Sequence, residues 1–216
     1  NTKDQPTIEG PKFLKKDGYY YILAPAGGVS KGWQTVLRSK NIYGPYKDKI
    51  VLHTGNTGIN GPHQGGIINL KSGEWWFLHF QSRGAYGRII HLQPVEWKDD
   101  WPLMGIDINN DGIGEPVMEY KKPDVGQSYQ ISVPQTSDEF TDNEPGLQWQ
   151  WHANMKKEWF SLTENPGCLR LYAVQNISQS GNLWFVPNLL LQKFPAPSFT
   201  VTTKITFEPE HINEKS

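Results

Sequence analysis

Residues 8–25, IEGPKFLKKDGYYYILAP, fall over residues 60–80, NGPHQGGIINLKSGEWWFLHF, when the chain is slid against itself by about 54 residues. In both stretches a polar residue, Glu9 and then His63, stands at a small-residue break. A strand-like run follows, then a Lys-x-Gly turn (Lys16-Asp17-Gly18 and Lys71-Ser72-Gly73), then an aromatic strand. Each unit continues into a strand carrying an arginine, TVLRSKNIYGPY over 35–46 and GRIIHLQPVEW over 87–97. A repeat of about 50 residues with several strands is the size of one propeller blade. The alternative is two unrelated hairpins that share glycine-rich turns. In a propeller, polar residues at the head of successive innermost strands converge on the axis, so the repeat bears on function.

The rest of the chain agrees with an all-β fold. Long helical periodicity is absent, while YYYILAP, WWFLHFQ, RIIHLQPV, CLRLYAV and FTVTTKITF all read as strands bounded by Gly, Pro, Asn or Asp. From about Pro134 the sequence turns polar, and the repeat is lost. GCLRLYAV, LLLQKF and SFTVTTKITF then alternate as in a sandwich sheet. The expected division is a first domain over 1–121, a linker over 122–137, and the opening of a second, β-sandwich domain over 138–216. With 21 Lys+Arg against 22 Asp+Glu, the net charge of -1 gives no field that favours nucleic acid or an anionic membrane. Nine each of Trp, Tyr and Phe suit packed strands and also sugar recognition by aromatic faces. Cys168 is the single cysteine, so no internal disulfide forms.

Several residues could carry chemistry. Glu9, on a strand end before Gly-Pro, suits the rim of a cavity with apolar neighbours, where a glutamate becomes a general acid; its plain reading is a surface charge. His63, between Gly-Pro and Gln-Gly-Gly, has little bulk around it and is open to a ligand, water or metal, or else bonds to turn backbone. Arg88 in GAYGRIIHL points a guanidinium at a cleft, whereas Arg38 and Arg83 read as surface arginines. Asp107, Asn109 and Asp111 before Gly112 match the first half of a calcium loop, but position twelve is Met118, so a plain Asx turn is the competing reading. Trp33 and Tyr86, in glycine-rich loops, are the aromatics expected at the surface.

Taken together, IEGPKFLKKDGYYYILAPAGG, GPHQGGIINLKSGEWWFLHFQ and GRIIHLQPVEWKDDWPLMG resemble glycoside hydrolase family 43, the five-bladed β-propeller arabinofuranosidases and β-xylosidases. The stretch from SDEF through LQWQWHAN to NLLLQKF looks like the concanavalin-like β-sandwich that follows the propeller in many of them. The resemblance implies an inverting acid/base glycosidase acting on arabinose- or xylose-containing plant polysaccharides. Glu9 matches its general acid, and the base aspartate belongs to an earlier blade. It places His63 near the propeller centre beside a calcium or water, and Arg88 at the sugar subsite. On this footing His63, Arg88, Gln81 and Trp33 form the expected substrate-binding set. His63, Asp107, Asn109 and Asp111 are the expected ligands of a structural Ca²⁺, and no organic cofactor is expected. The chain is expected to be blades three to five of a longer, secreted or periplasmic enzyme, with the missing blades as a further partner. A non-catalytic carbohydrate-binding module is the alternative.

Overall fold

The computed structural model describes residues 3–175 and 181–212. It divides into two compact units, residues 1–129 and 130–216.

The described residues of the first unit form two four-stranded antiparallel sheets, each with its strands in chain order. The first sheet is β1 (Lys12–Lys16), β2 (Tyr19–Ala26), β3 (Trp33–Ser39) and β4 (Lys47–Leu52). The second is β5 (His63–Asn69), β6 (Trp75–Ser82), β7 (Arg88–Lys98) and β8 (Trp101–Met104). Two-residue turns set the register. Lys16 pairs with Tyr19 around Asp17-Gly18, and Lys98 pairs with Trp101 around Asp99-Asp100. All four turn residues have positive φ, from 47° to 79°, as a type I′ turn requires to match the strand twist.

The core lies between the sheets. Tyr21, Leu23, Val36, Val51 and Leu52 of the first meet Phe77 and Met104 of the second, all buried. Alternation decides which side chains enter: residues 21 and 23 of β2 and residue 77 of β6 point inward, two apart along each strand. A segment after β8 ties the two sheets at their edges. Gly114 bridges Leu52 in parallel, and Glu115 exchanges both backbone hydrogen bonds with Ile106. Residues 12–104 thus make two sheets, to which residues 106, 114 and 115 add bridges.

The described residues of the second unit form four two-residue strands: β9 (Gln150–Trp151), β10 (Phe160–Ser161), β11 (Arg170–Leu171) and β12 (Leu190–Leu191). They pair antiparallel as β10 with β11 and β12 with β9. The Trp151 ring packs against those of Trp159 and Phe160, with centroids 5.4 Å apart in each pair, and Trp159 and Leu162 are buried. The run SFTVTTKITF, read as a strand, forms none. A strand needs an edge to bond its N–H and C=O groups, and no partner strand lies beside it among the described residues. No helix among the described residues is long and apolar enough to cross a membrane.

Candidate active site

The two residues singled out by the repeat stand at the heads of the two first strands. Glu9 is exposed, three residues before β1, and its N–H donates to the Pro25 carbonyl (3.1 Å), extending the β1–β2 hairpin. His63 opens β5 opposite Phe80; its side chain lies outside the described residues. The next residue in each case adopts the left-handed region, Gly10 with φ +53° and Gln64 with φ +49°. At Gln64, which is not a glycine, that conformation costs about 1 kcal/mol and persists only because the surroundings hold it. It coincides with a β-bulge between His63 and Gly66. The two kinks adjoin: a Cβ at Gly10 would sit 3.5 Å from the Gln64 side chain. The strand heads that carry Glu9 and His63 therefore lie close, the Gly10 main chain against the Gln64 side chain.

Arg88 joins them from β7. It is exposed, opposite Ser82 at the end of β6, and its guanidinium lies 4.5 Å from the centre of the Phe80 ring. Because Phe80 faces His63 across the β5–β6 ladder, His63 and Arg88 share one end of the second sheet. Stacking on an aromatic face holds the guanidinium while leaving its N–H fork for a ligand.

The other expected sugar contacts are occupied within the protein. Gln81 is 4% exposed; its Nε2 donates to the Gly58 carbonyl (2.7 Å) and its Oε1 accepts from His91 Nε2 (3.1 Å). Trp33 is half-buried with its ring against Gly27, where a Cβ would come within 2.6 Å, and its Nε1 donates to Gln5 Oε1 (2.9 Å). Tyr86 is half-buried in the short turn before β7. Arg38, read as a surface residue, is clasped between the rings of Tyr19 (4.7 Å) and Trp101 (4.2 Å), with Nη1 donating to the Asp99 carbonyl (2.6 Å). Glu9 does not line a cavity of about 270 Å³ in this unit, which is bounded by Pro94, Leu103, Ile106, Asp107 and Tyr120.

The Asp107–Gly112 loop is an Asx turn. Asp107 Oδ1 and Oδ2 accept the N–H groups of Asp111 (3.1 Å) and Gly112 (3.0 Å). Asn109 Oδ1 accepts the Asp111 N–H (3.2 Å). Asp111 Oδ1 accepts the Ile113 N–H (2.8 Å) and its Oδ2 accepts from Asn109 Nδ2 (3.0 Å). The Ile113 bond, first among its causes, holds the Asp111 carboxyl below its ordinary pKa. Each of these oxygens is turned onto the loop itself, and among the described residues no cluster of three or more His, Cys, Asp or Glu could hold a metal.

Sequence reading passed over the polar residues behind the site. His79 is 2% exposed, and burial, with His91 beside it, brings its pKa down to about 4 against an opposing bond to the Phe80 carbonyl. Gln93 and Glu115 are buried as well. Alternation on β6 and β7 was the available signal, since 79 and 93 share the inward side with Phe77, but polar residues in alternation ordinarily read as solvent-facing.

Comparison with known proteins gives a consistent family. The sequence profile "Glycosyl hydrolases family 43" matches residues 1–102, and "Beta xylosidase C-terminal Concanavalin A-like domain" matches residues 137–216. A Xylanibacter ruminicola relative is 45% identical over 203 residues, covering 94% of this chain and 38% of its own length. A β-xylosidase of Formosa agariphila is 40% identical, covering 76% of this chain and 31% of its own. The crystal structure of a family 43 protein from Bacillus licheniformis superposes with a TM-score of 0.72 at 28% identity, over 89% of this chain and 38% of that one. The chain thus spans under two fifths of the length of each of these three relatives. Two blade-type sheets followed by residues that match the concanavalin A-like profile, and these likenesses along the chain, place it in glycoside hydrolase family 43.

Proposed function

We propose that these residues are part of a glycosidase that releases xylose or arabinose from plant cell-wall saccharides, with Glu9 as general acid. The observation that carries the reading is the approach of Gly10 to the Gln64 side chain, which brings the strand heads of Glu9 and His63 close at the end of the sheet that also carries Arg88. Names among the relatives support the substrate class: a β-xylosidase in Formosa agariphila and a non-reducing end α-L-arabinofuranosidase in Bacteroides ovatus, the latter 30% identical over 96% of this chain.

In the proposed reaction the Glu9 carboxyl gives its proton to the glycosidic oxygen as the bond from that oxygen to the anomeric carbon breaks. A water attacks the anomeric carbon from the opposite face and loses its proton to a carboxylate base, so configuration inverts. Such a pair stands about 6.5–9.5 Å apart to admit the water. The base is assigned to protein outside these 216 residues, in keeping with the 38% of the Xylanibacter relative that they span. Arg88, steadied on Phe80, holds sugar hydroxyls.

The test is Glu9→Gln in the full-length protein. On 4-nitrophenyl β-xyloside and α-arabinofuranoside, kcat/KM is expected to fall by at least about 10²-fold. On a 2,4-dinitrophenyl glycoside, whose leaving group departs without a proton, the loss is expected to be much smaller. Unchanged turnover on both sinks the assignment. Saccharide binding with no turnover by the wild type identifies a carbohydrate-binding module instead.

A further inference from the structure

We propose that Gln81 is a positioning residue, acting through the loop 53–62 that delivers His63 to the head of β5. The proposal rests on the glycosidase reading above, and it replaces the sugar contact first expected of Gln81.

A closed circuit of contacts supports it, beginning and ending on that loop. Gln81 Nε2 donates to the Gly58 carbonyl (2.7 Å), and its Oε1 accepts from His91 Nε2 (3.1 Å). The His91 ring stacks on His79, centroids 5.4 Å apart at 24°. His79 Nε2 lies 3.1 Å from Gln93 Nε2, and Gln93 Oε1 accepts the Val117 N–H (2.7 Å). Two residues before Val117, the buried Glu115 accepts the Asn56 N–H at Oε2 (3.0 Å). Asn56 and Gly58 are two residues apart, so the circuit closes.

Its proton assignments are forced. With Gln93 Oε1 accepting from Val117, its amide nitrogen is the donor toward His79, whose Nε2 must accept and whose Nδ1–H then faces the Phe80 carbonyl at 3.2 Å. Gln81 is fixed in the same way, since its nitrogen donates to the Gly58 carbonyl and its oxygen accepts from His91 Nε2–H. Buried polar groups destabilise a fold unless each finds a partner, and a fully satisfied set specifies one arrangement.

The loop depends on this set. It lies outside the strands, and Gly55 leaves no room for a side chain, since a Cβ there would come within 2.0 Å of Glu115 Oε2. Its amides at 55, 57, 59 and 61 bond within the loop, to His53 Nδ1, Thr54 O, Thr57 Oγ1 and Thr54 Oγ1 in turn, and the amide at 56 bonds to Glu115, so the circuit anchors this internally bonded loop at residues 56 and 58. It then feeds His63 and the strained Gln64, so displacement at Gly58 reaches the His63 main chain within five residues. Gln81 thus stands behind the site and holds the loop that shapes it.

The experiment uses the full-length protein, wild type against Gln81→Leu, His91→Gln and His91→Leu. Hydrogen–deuterium exchange of amides 55–61 is expected to speed at least tenfold in Gln81→Leu, with amides of β2 and β3 unchanged. On 4-nitrophenyl glycosides, kcat/KM is expected to fall about tenfold in Gln81→Leu and His91→Leu, as a small misplacement near the reacting centre does. His91→Gln, which keeps an N–H for Gln81 Oε1, is expected to restore most of it. Unaltered exchange over 55–61, or equal losses in His91→Gln and His91→Leu, overturns the proposal. If Gln81→Leu fails to fold, Gln81→Glu, which keeps the volume but loses the donor to Gly58, carries the same exchange and rate tests. Turnover that survives Glu9→Gln while exchange still responds to Gln81→Leu means that the acid assignment has failed and the clamp stands.

Discussion

The two sheets of the first unit share a hairpin frame and fill it differently. On the inward side of the first, Leu23 stands opposite Val36, and Pro25 opposite Gln34. On the second, Phe77 stands opposite Gln93, and His79 opposite His91. The first sheet is apolar at the level where the second is already aromatic and amide, and one step nearer the site the second carries two stacked imidazoles. A blade frame therefore fixes where side chains point and leaves their chemistry open. The second sheet uses that freedom to hold the loop in front of His63.

The largest break in this comparison is Phe77→Ala. The side chain is fully buried, and its loss should destabilise by about 3–5 kcal/mol, read as a lower urea midpoint at unchanged slope. Leu23→Ala, its counterpart in the first sheet, is expected to fall within or below that range. Next comes pH. His79 is neutral in the fold, with a pKa of about 4 against 6.5 in an unfolded chain. Between these values the unfolded state binds more protons, so its contribution is full above pH 6.5 and is lost as pH falls toward 4. The linkage amounts to about 3 kcal/mol. Unfolding measured from pH 7 to 4 in wild type and His79→Gln checks it, since the variant should show a flatter profile. His91, held below its ordinary pKa by burial and then by Arg83, adds to the same slope.

Smaller effects belong to the first sheet. Gln5 accepts from Trp33 Nε1 and Thr35 Oγ1 and donates to Asp48 Oδ2. Gln5→Ala strands these groups and should cost about 2 kcal/mol in chemical unfolding. Trp33→Phe, losing one of those bonds, is expected to lower stability by about 1 kcal/mol while leaving KM for aryl glycosides unchanged. A rise in KM would return Trp33 to the sugar site.

The frame was legible because it rests on local chemistry. Asp17-Gly18 and the small residues around Glu9 and His63 fix turns and kinks within a few positions, and a repeat of such signals survives in the sequence. Glu9, His63 and Arg88 were singled out that way. The internal bonds of Gln81 and Trp33 were not legible because their partners, Gly58 and Gln5, lie 23 and 28 residues away and nothing local announces them. Arg38 was misjudged for a similar reason, its second ring, Trp101, coming from the other sheet. The Asp107–Asp111 pattern serves a turn and a cation alike, and the turn's internal bonds are what the structure displays. In the second unit, alternation in SFTVTTKITF promised a strand, but alternation describes a face and does not supply the neighbouring edge.

Gly114 bears on what happens when the chain is cut. Its N–H donates to the Val51 carbonyl (3.2 Å), its carbonyl accepts from His53 (3.0 Å), and a Cβ there would fall 1.6 Å from the Met104 carbonyl oxygen. Beside it, Glu115 and Val117 are bonded to Ile106, Asn56 and Gln93. The exposed turn at 108–111 is the kind of site a protease nicks. A break there leaves the strip from 113 to 117 stitched to residues on both sheets, so the two pieces are expected to travel together on a sizing column and part only in denaturant.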